Sequence, residues 1–224
     1  MDRIPEPELM NDLQQAQAYA YADFAEPHNR FIDLFKACFP DMELGNRVLD
    51  LGCGPADISI RFARAYPEVQ IDGMDGAENM LNLGKELIKK QHLDDRIHLY
   101  HGYLPADKPP GAQYDVVISN SLLHHLKDPM VLWHSINDYA APQAAVFVMD
   151  LLRPDSMETA HALVNEYAIN EPPVLQEDFF NSLCASYQTD EVAHQLTQAG
   201  LANLQIRIIS DRHFIVYGMK QSVA

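Results

Sequence analysis

Between residues 47 and 152, short apolar runs alternate with longer runs of helical periodicity, and this alternation restricts the fold more than any other feature. RVLDL (47–51), VQIDGMD (69–75), RIHLYHG (96–102), YDVVISN (114–120) and AAVFVMDLL (144–152) read as buried strands. DISIRFARAY (57–66), ENMLNLGKELIKKQ (78–91) and residues 128–140 read as helices. Strands joined through helices need long crossovers, so they run parallel with right-handed connections. The pattern breaks after Leu152: residues 155–188 carry helical runs around EPP (171–173) and no strand. A last helix, 189–199, ends at Gly200, and two strands follow, LANLQIRIIS (201–210) and HFIVYGM (213–219). Their tight link at Asp211-Arg212 makes them antiparallel. Ahead of the alternation, 8–20 and 28–39 are helical, with Phe31, Leu34, Phe35, Cys38 and Phe39 at core-facing spacing. The expectation is an α/β fold with a seven-stranded, mostly parallel sheet, an antiparallel closing strand and helices on both faces. It is one domain over 1–224: a helical leader (1–45), a core (46–152), a lid insertion (153–188) and a closing helix with its hairpin (189–224).

Charge narrows the partners. Sixteen basic against 32 acidic side chains leave a net charge of -16, and the longest basic run is Lys89-Lys90. Such a field repels phosphate backbones and anionic lipid, so neither nucleic acid nor a membrane surface is an expected partner. No apolar stretch approaches the roughly 20 residues that span a bilayer. The polar start MDRIPEPELMNDLQQ resembles no targeting segment. Cys38, Cys53 and Cys184 are odd in number and far apart, which fits a reducing, cytoplasmic setting and no metal site. The oligomeric state is left open.

The stretch VLDLGCGPAD (48–57) ends a strand in Gly52-Cys53-Gly54, a turn without bulk where a ligand can meet the backbone. The following helix start offers unpaired N–H groups, with Asp57 as its expected cap. The plain alternative is a tight strand-to-helix turn with no ligand. Asp75 ends the second strand 21 positions after Gly54, where a carboxylate accepts both hydroxyls of a ribose, or else caps the next helix. A nicotinamide-binding turn would carry a third glycine where Asp57 stands. Asp50 and Asp57 disfavour a diphosphate at this turn and favour a cation. S-adenosylmethionine, with a sulfonium, an ammonium and no phosphate, fits that charge.

VLDLGCGPADISIRFARAYP resembles the first motif of the class I S-adenosylmethionine-dependent methyltransferases, and IDGMDGAENML is similar to their second-strand motif. YDVVISNSLLHHLKDP resembles their fourth strand and loop, AAVFVMDLLRP their fifth strand, and the tail from 189 their closing hairpin. The resemblance implies a Rossmann-like fold and S-adenosylmethionine as cofactor. It places Gly52, Cys53 and Gly54 against the methionine portion, with Asp50 orienting its ammonium through backbone or water. Asp75 would hold the ribose, and Gly76 and Met80 would flank the adenine. Where the family often has a Gly-Asp-Ala-like stretch, this chain has Gly102-Tyr103-Leu104, so a backbone group of Tyr103 or Leu104 would serve the adenine. Asn120, with Ser121, would sit beside the sulfonium.

Methyl transfer from a sulfonium releases a neutral thioether, so the protein supplies alignment, water exclusion and, where needed, a base. His124 and His125 stand where a base is needed; the plain alternative is that one packs under the loop and the other caps the helix that starts near Asp128. The loop after Asn120 lacks the Pro-Pro-aromatic run of enzymes that methylate nucleobase or amide nitrogens. In the leader and insertion, Tyr19, Tyr21, Phe24, Asn29, Tyr167 and Phe179 suit an apolar small-molecule pocket, or simply pack the lid. The expected activity is methyl transfer to an oxygen or nitrogen of a small molecule. The alternatives are a peptide acceptor, a non-catalytic cofactor-binding protein and a nicotinamide-dependent oxidoreductase.

Overall fold

The computed structural model describes residues 1–6, 16–19, 25–40, 42 and 45–221. Its strands are β1 (Arg47–Leu51), β2 (Gln70–Asp75), β3 (Ile97–His101), β4 (Tyr114–Asn120), β5 (Ala140–Leu151), β6 (Gln205–Ile208) and β7 (His213–Met219). They form one sheet in the order β3-β2-β1-β4-β5-β7-β6. The first five are mutually parallel, and β7 runs antiparallel to both β5 and β6. The helices are α1 (Ala25–Cys38), α2 (Asp57–Ala65), α3 (Glu78–Lys90), α4 (Met130–Tyr139), α5 (Met157–Tyr167), α6 (Pro173–Ala185) and α7 (Thr189–Gln198), with a 3-10 turn at Leu123–His125.

Both faces of the sheet are covered, which explains the near-continuous apolar strands. Val48, Val116, Ile118, Phe147 and Ile215 face a core completed by Phe31 and Phe35 of α1, Phe62 of α2 and Ile88 of α3. The alternate positions Leu49, Leu51, Val117, Val146, Val148 and Phe214 face Trp133 and Ile136 of α4 and Val192 and Leu196 of α7. Beyond the strand tips, α5 and α6 share a small core of Leu151, Leu163, Val164 and Leu183. The N-terminal residues are tied to this insertion: the Ile4 N–H donates to the Cys184 carbonyl at 2.9 Å, and Arg3 donates to the carbonyls of Ala185, His124 and Leu126.

Several boundaries differ from expectation. β5 starts at Ala140 because it pairs with Tyr114 across a register shift. The penultimate strand shrinks to Gln205–Ile208, since Leu201 and Leu204 leave the sheet to pack in the core. Gly200 does end the preceding helix, at φ +74°. Of residues 8–20 only 16–19 lie among those described, and they are helical. Asp57 does not cap α2: the cap position is Ala56, at φ 65°, without a side-chain hydrogen bond. Asp57 is the first helical residue, and its Oδ2 meets His28 Nδ1 and Arg61 Nε at 2.6 Å each, tying α1 to α2. Burial raises its carboxyl, but these two partners outweigh burial and hold it below the usual range.

Candidate active site

Strand order reverses between β1 and β4, and a cavity of about 180 Å³ opens there at the carboxyl ends of the strands. At the tip of β1, Gly52 turns back at φ +71°, and its N–H and that of Cys53 both donate to the Met74 carbonyl. A Cβ on Gly52 would lie 2.9 Å from Leu122. Gly54, at φ +49°, would place a Cβ in open space, so that side of the turn is clear for a ligand. Asp75 Oδ2 accepts the Gly54 N–H at 2.8 Å and Oδ1 the Ala77 N–H at 2.7 Å. The carboxylate thus braces the turn and caps the entry to α3, and its remaining lone pairs face the cavity. Burial raises the Asp75 carboxyl, against those two bonds. Asp50 is 1% exposed and accepts a hydrogen bond from Ser59; burial pushes its carboxyl up to about 7.

All twelve residues expected around the cofactor line this cavity: Asp50, Gly52, Cys53 and Gly54 from the first turn, Asp75, Gly76 and Met80 from the second, and Gly102, Tyr103, Leu104, Asn120 and Ser121 from the third and fourth. Tyr19 closes one side beside Met80, and burial pushes its phenol up to about 12. Asn120 Oδ1 is buried without a hydrogen-bond partner among the described residues, an acceptor held ready for a ligand.

A family model described as a methyltransferase domain matches residues 19–206. The chain belongs to that family, as a class I S-adenosylmethionine-dependent methyltransferase. The 27-O-demethylrifamycin SV methyltransferase of Amycolatopsis mediterranei is 30% identical over 119 residues, 53% of this chain and 42% of that protein. The demethylmenaquinone methyltransferase of Anoxybacillus flavithermus is 25% identical over 183 residues, 75% of this chain and 74% of that protein. The chain therefore spans less than half of the first relative and about three quarters of the second. A crystal structure of a SAM-dependent methyltransferase from Aquifex aeolicus superposes with a TM-score of 0.66 at 18% identity, over 93% of this chain and 98% of that one, a likeness of fold. Family membership sets aside the nicotinamide-dependent reading.

This methyltransferase has a second cavity, of about 320 Å³, sharing Tyr19, His28, Asn120, Ser121 and His125 with the first. Tyr167 and Phe179 line it, as does His124. Tyr167 is fixed by its hydroxyl to Asp211 and by Arg212 stacked 3.3 Å from its ring centre. Asn29, expected here, is instead exposed on α1 and accepts a hydrogen bond from Arg61, because its helix turns it away from both cavities. Tyr21 and Phe24 lie outside the described residues. Among those described, no helix is long and apolar enough to cross a membrane.

The histidine pair has partners that sequence reading missed. His124 is 2% exposed, with Nδ1 2.6 Å from Asp150 Oδ1 and Nε2 3.6 Å from Glu6 Oε1. Burial lowers its pKa, but Asp150 and Glu6 outweigh burial and leave it raised. His125 Nδ1 lies 3.2 Å from the same Glu6 oxygen. Burial raises the Glu6 carboxyl, opposed by His124 and by a hydrogen bond from Ser182. His213 also lines the second cavity; burial, then Arg212, pushes it down to about 4. Asp150 carried a weak signal, an acid closing an apolar strand, whereas nothing near Glu6 in the sequence points to the histidines.

Proposed function

We propose that the chain transfers the methyl group of S-adenosylmethionine to an oxygen or nitrogen nucleophile of a small molecule held in the second cavity. The observation that carries this reading is the junction: the two cavities meet at Asn120, Ser121 and His125, where the unpartnered Asn120 Oδ1 is buried. A carbonyl oxygen there favours the positive sulfonium and its departing methyl group. In the first cavity, Gly52, Cys53 and Gly54 would take the methionine portion and Asp50 its ammonium. Asp75 would take the ribose hydroxyls. Gly76, Met80, Gly102, Tyr103 and Leu104 would enclose the adenine.

The second cavity supports an acceptor of modest size. Its walls combine Phe179, Leu175, Met149 and Leu151 with imidazoles and carboxylates, the mix of a pocket that orients a mostly apolar molecule through few polar contacts. The Asp150–His124 pair supports activation of an acceptor hydroxyl or amine, since Asp150 fixes which imidazole nitrogen is left to act. An oxygen nucleophile agrees with the name of the Amycolatopsis relative.

Incubation with methyl-labelled S-adenosylmethionine and a metabolite extract tests the reading. Label is expected in a small-molecule fraction and is expected to fall sharply in Asn120→Ala. Label only on polypeptide, or no binding of S-adenosylhomocysteine by the parent protein, would overturn it.

A further inference from the structure

We propose that Glu6, His124 and His125 form a binding site for a divalent first-row metal ion that opens onto the acceptor cavity. This deepens the reading of that cavity as the acceptor site and rests on it. The ligand atoms of the three residues lie within 4.8 Å of one another. Glu6 Oε1 is 3.2 Å from His125 Nδ1 and 3.6 Å from His124 Nε2. Around an ion with tetrahedral bonds of about 2.0–2.1 Å, ligand atoms stand about 3.3–3.4 Å apart, between those two values. The two separations from Glu6 are already those of a coordination sphere.

The surroundings orient each ligand. The His124 ring is tied at Nδ1 to Asp150, whose other oxygen accepts the Leu123 N–H at 2.8 Å. A carboxylate on one nitrogen of a histidine is the usual support for a metal on the other. Ser182 Oγ donates to both oxygens of Glu6, at 3.1 and 3.2 Å. Arg3 and Ile4 anchor the segment that carries Glu6, so this carboxylate is delivered without help from an ion. With Nδ1 held by Asp150, the ring nitrogen that faces Glu6 is Nε2, the atom free of the Asp150 contact and placed to bind an ion beside that carboxylate. The side chains of His124, Glu6 and His125 are only 2%, 9% and 15% exposed.

Two imidazoles and one carboxylate suit zinc, cobalt or iron, and three protein ligands leave a position open. Both histidines line the acceptor cavity, so that position faces the acceptor. The acceptor class is a hydroxyl compound, phenolic or enolic, bound through oxygen. On binding, the O–H bond breaks, its proton passes to solvent, and the oxyanion is held by the metal. The oxygen then forms a bond to the methyl carbon while the carbon–sulfur bond breaks, its electron pair staying on sulfur as a neutral thioether. The ion is not oxidised or reduced.

The test is titration of chelator-treated, dialysed protein with Co²⁺, read by visible absorption, and with Zn²⁺, read by calorimetry. S-adenosylhomocysteine binding is measured in the same samples. One ion per chain is expected, with a cobalt spectrum of four- or five-coordinate type. Affinity should fall by at least about 10–100-fold, the usual cost of losing even a residue that supports a ligand, in Glu6→Gln and in His125→Gln. His194→Gln, on the exposed side of α7, should leave it unchanged. Equal zinc binding by the parent and the Glu6 and His125 variants, or no cobalt band, would overturn the site and assign a proton between Glu6 and His124. Retained S-adenosylhomocysteine binding would leave the function standing in that case, whereas its absence in the parent would overturn the function itself.

Discussion

Replacing Asp50 with Asn separates cofactor binding from stability, because the two are expected to move in opposite directions. Asp50 is 1% exposed at the tip of β1; burial pushes its carboxyl up to about 7, the Ser59 hydrogen bond acting against burial and Asp75 with it. In the unliganded protein the group is therefore about half protonated near neutral pH. An arriving ammonium favours the ionised form, so binding releases up to one proton. Affinity for S-adenosylhomocysteine, which carries the same ammonium, should rise by up to tenfold per pH unit as pH climbs toward 7, then level off. Asp50→Asn should flatten that profile and weaken binding at pH 8 by about 10–100-fold, the loss of one charge-assisted contact of about 1.5–3 kcal/mol.

Stability responds in the other sense. The folded pKa of about 7 exceeds the ordinary value of 3.8, so between those pH values the folded state holds a proton that the unfolded chain has released. Raising pH from about 4 to 7 then destabilises the parent, by at most about 4 kcal/mol for some three pH units. The Asn variant lacks this loss and should be the more stable protein above pH 7 while matching the parent near pH 4. Calorimetry in two buffers of different ionisation enthalpy reads the proton release, and urea unfolding across pH reads the stability. A parent that binds without proton release, or an Asp50→Asn protein less stable than the parent at pH 8, would refute the reasoning.

Asp75→Ala removes the acceptor for the N–H groups of Gly54 and Ala77; we expect about 1–3 kcal/mol lower stability and at least about tenfold weaker S-adenosylhomocysteine binding. An unchanged dissociation constant would remove Asp75 from the cofactor site. Gly52→Ala combines a φ of +71° with a Cβ 2.9 Å from Leu122, so its urea midpoint should fall by the equivalent of about 2–4 kcal/mol, and an unshifted midpoint would contradict the turn geometry. His213, held near 4 by burial and Arg212, is neutral in the fold while the unfolded chain takes up a proton near 6.5, so it makes stability rise from about pH 4 to 6.5. That slope opposes the one from Asp50, so His213→Gln should show stability falling steadily with pH, and parallel curves for parent and variant in urea melts would argue against it.

The cavity at the strand tips was legible because each part of it is local in sequence. An apolar strand, a small turn and an acid can be recognised in ten residues, and a parallel sheet then carries every strand tip to one edge. Asp50, Asp75 and Asn120 meet for that reason alone. The second cavity is assembled from parts with no such common edge. Asn29 was misplaced because polarity at one helical position does not say which way the helix faces. Asp57 was misread because the first helical residue and the cap differ by one position, and it is the left-handed backbone at Ala56 that decides between them. Glu6 was invisible. Its approach to His124 depends on Arg3, which reaches the His124 carbonyl across 121 positions.

The junction between the cavities follows from how β4 ends. Ser119 donates its hydroxyl to the Leu51 carbonyl at 2.8 Å, holding β4 against β1 up to its last turn. One residue past the strand, the Ser121 N–H still donates to the Met149 carbonyl at 2.9 Å, yet Ser121 sits at φ 57°, a conformation that costs a residue with a side chain about a kilocalorie per mole or more. The chain is thus held by β5 on one side and turned sharply on the other. That turn brings His124 and His125 back over the strand tips within five residues of Asn120, instead of letting the chain run on beyond the sheet. A relaxed extended backbone at Ser121 would carry the histidines away from Asn120, so the strain is concentrated at the point where the two cavities meet.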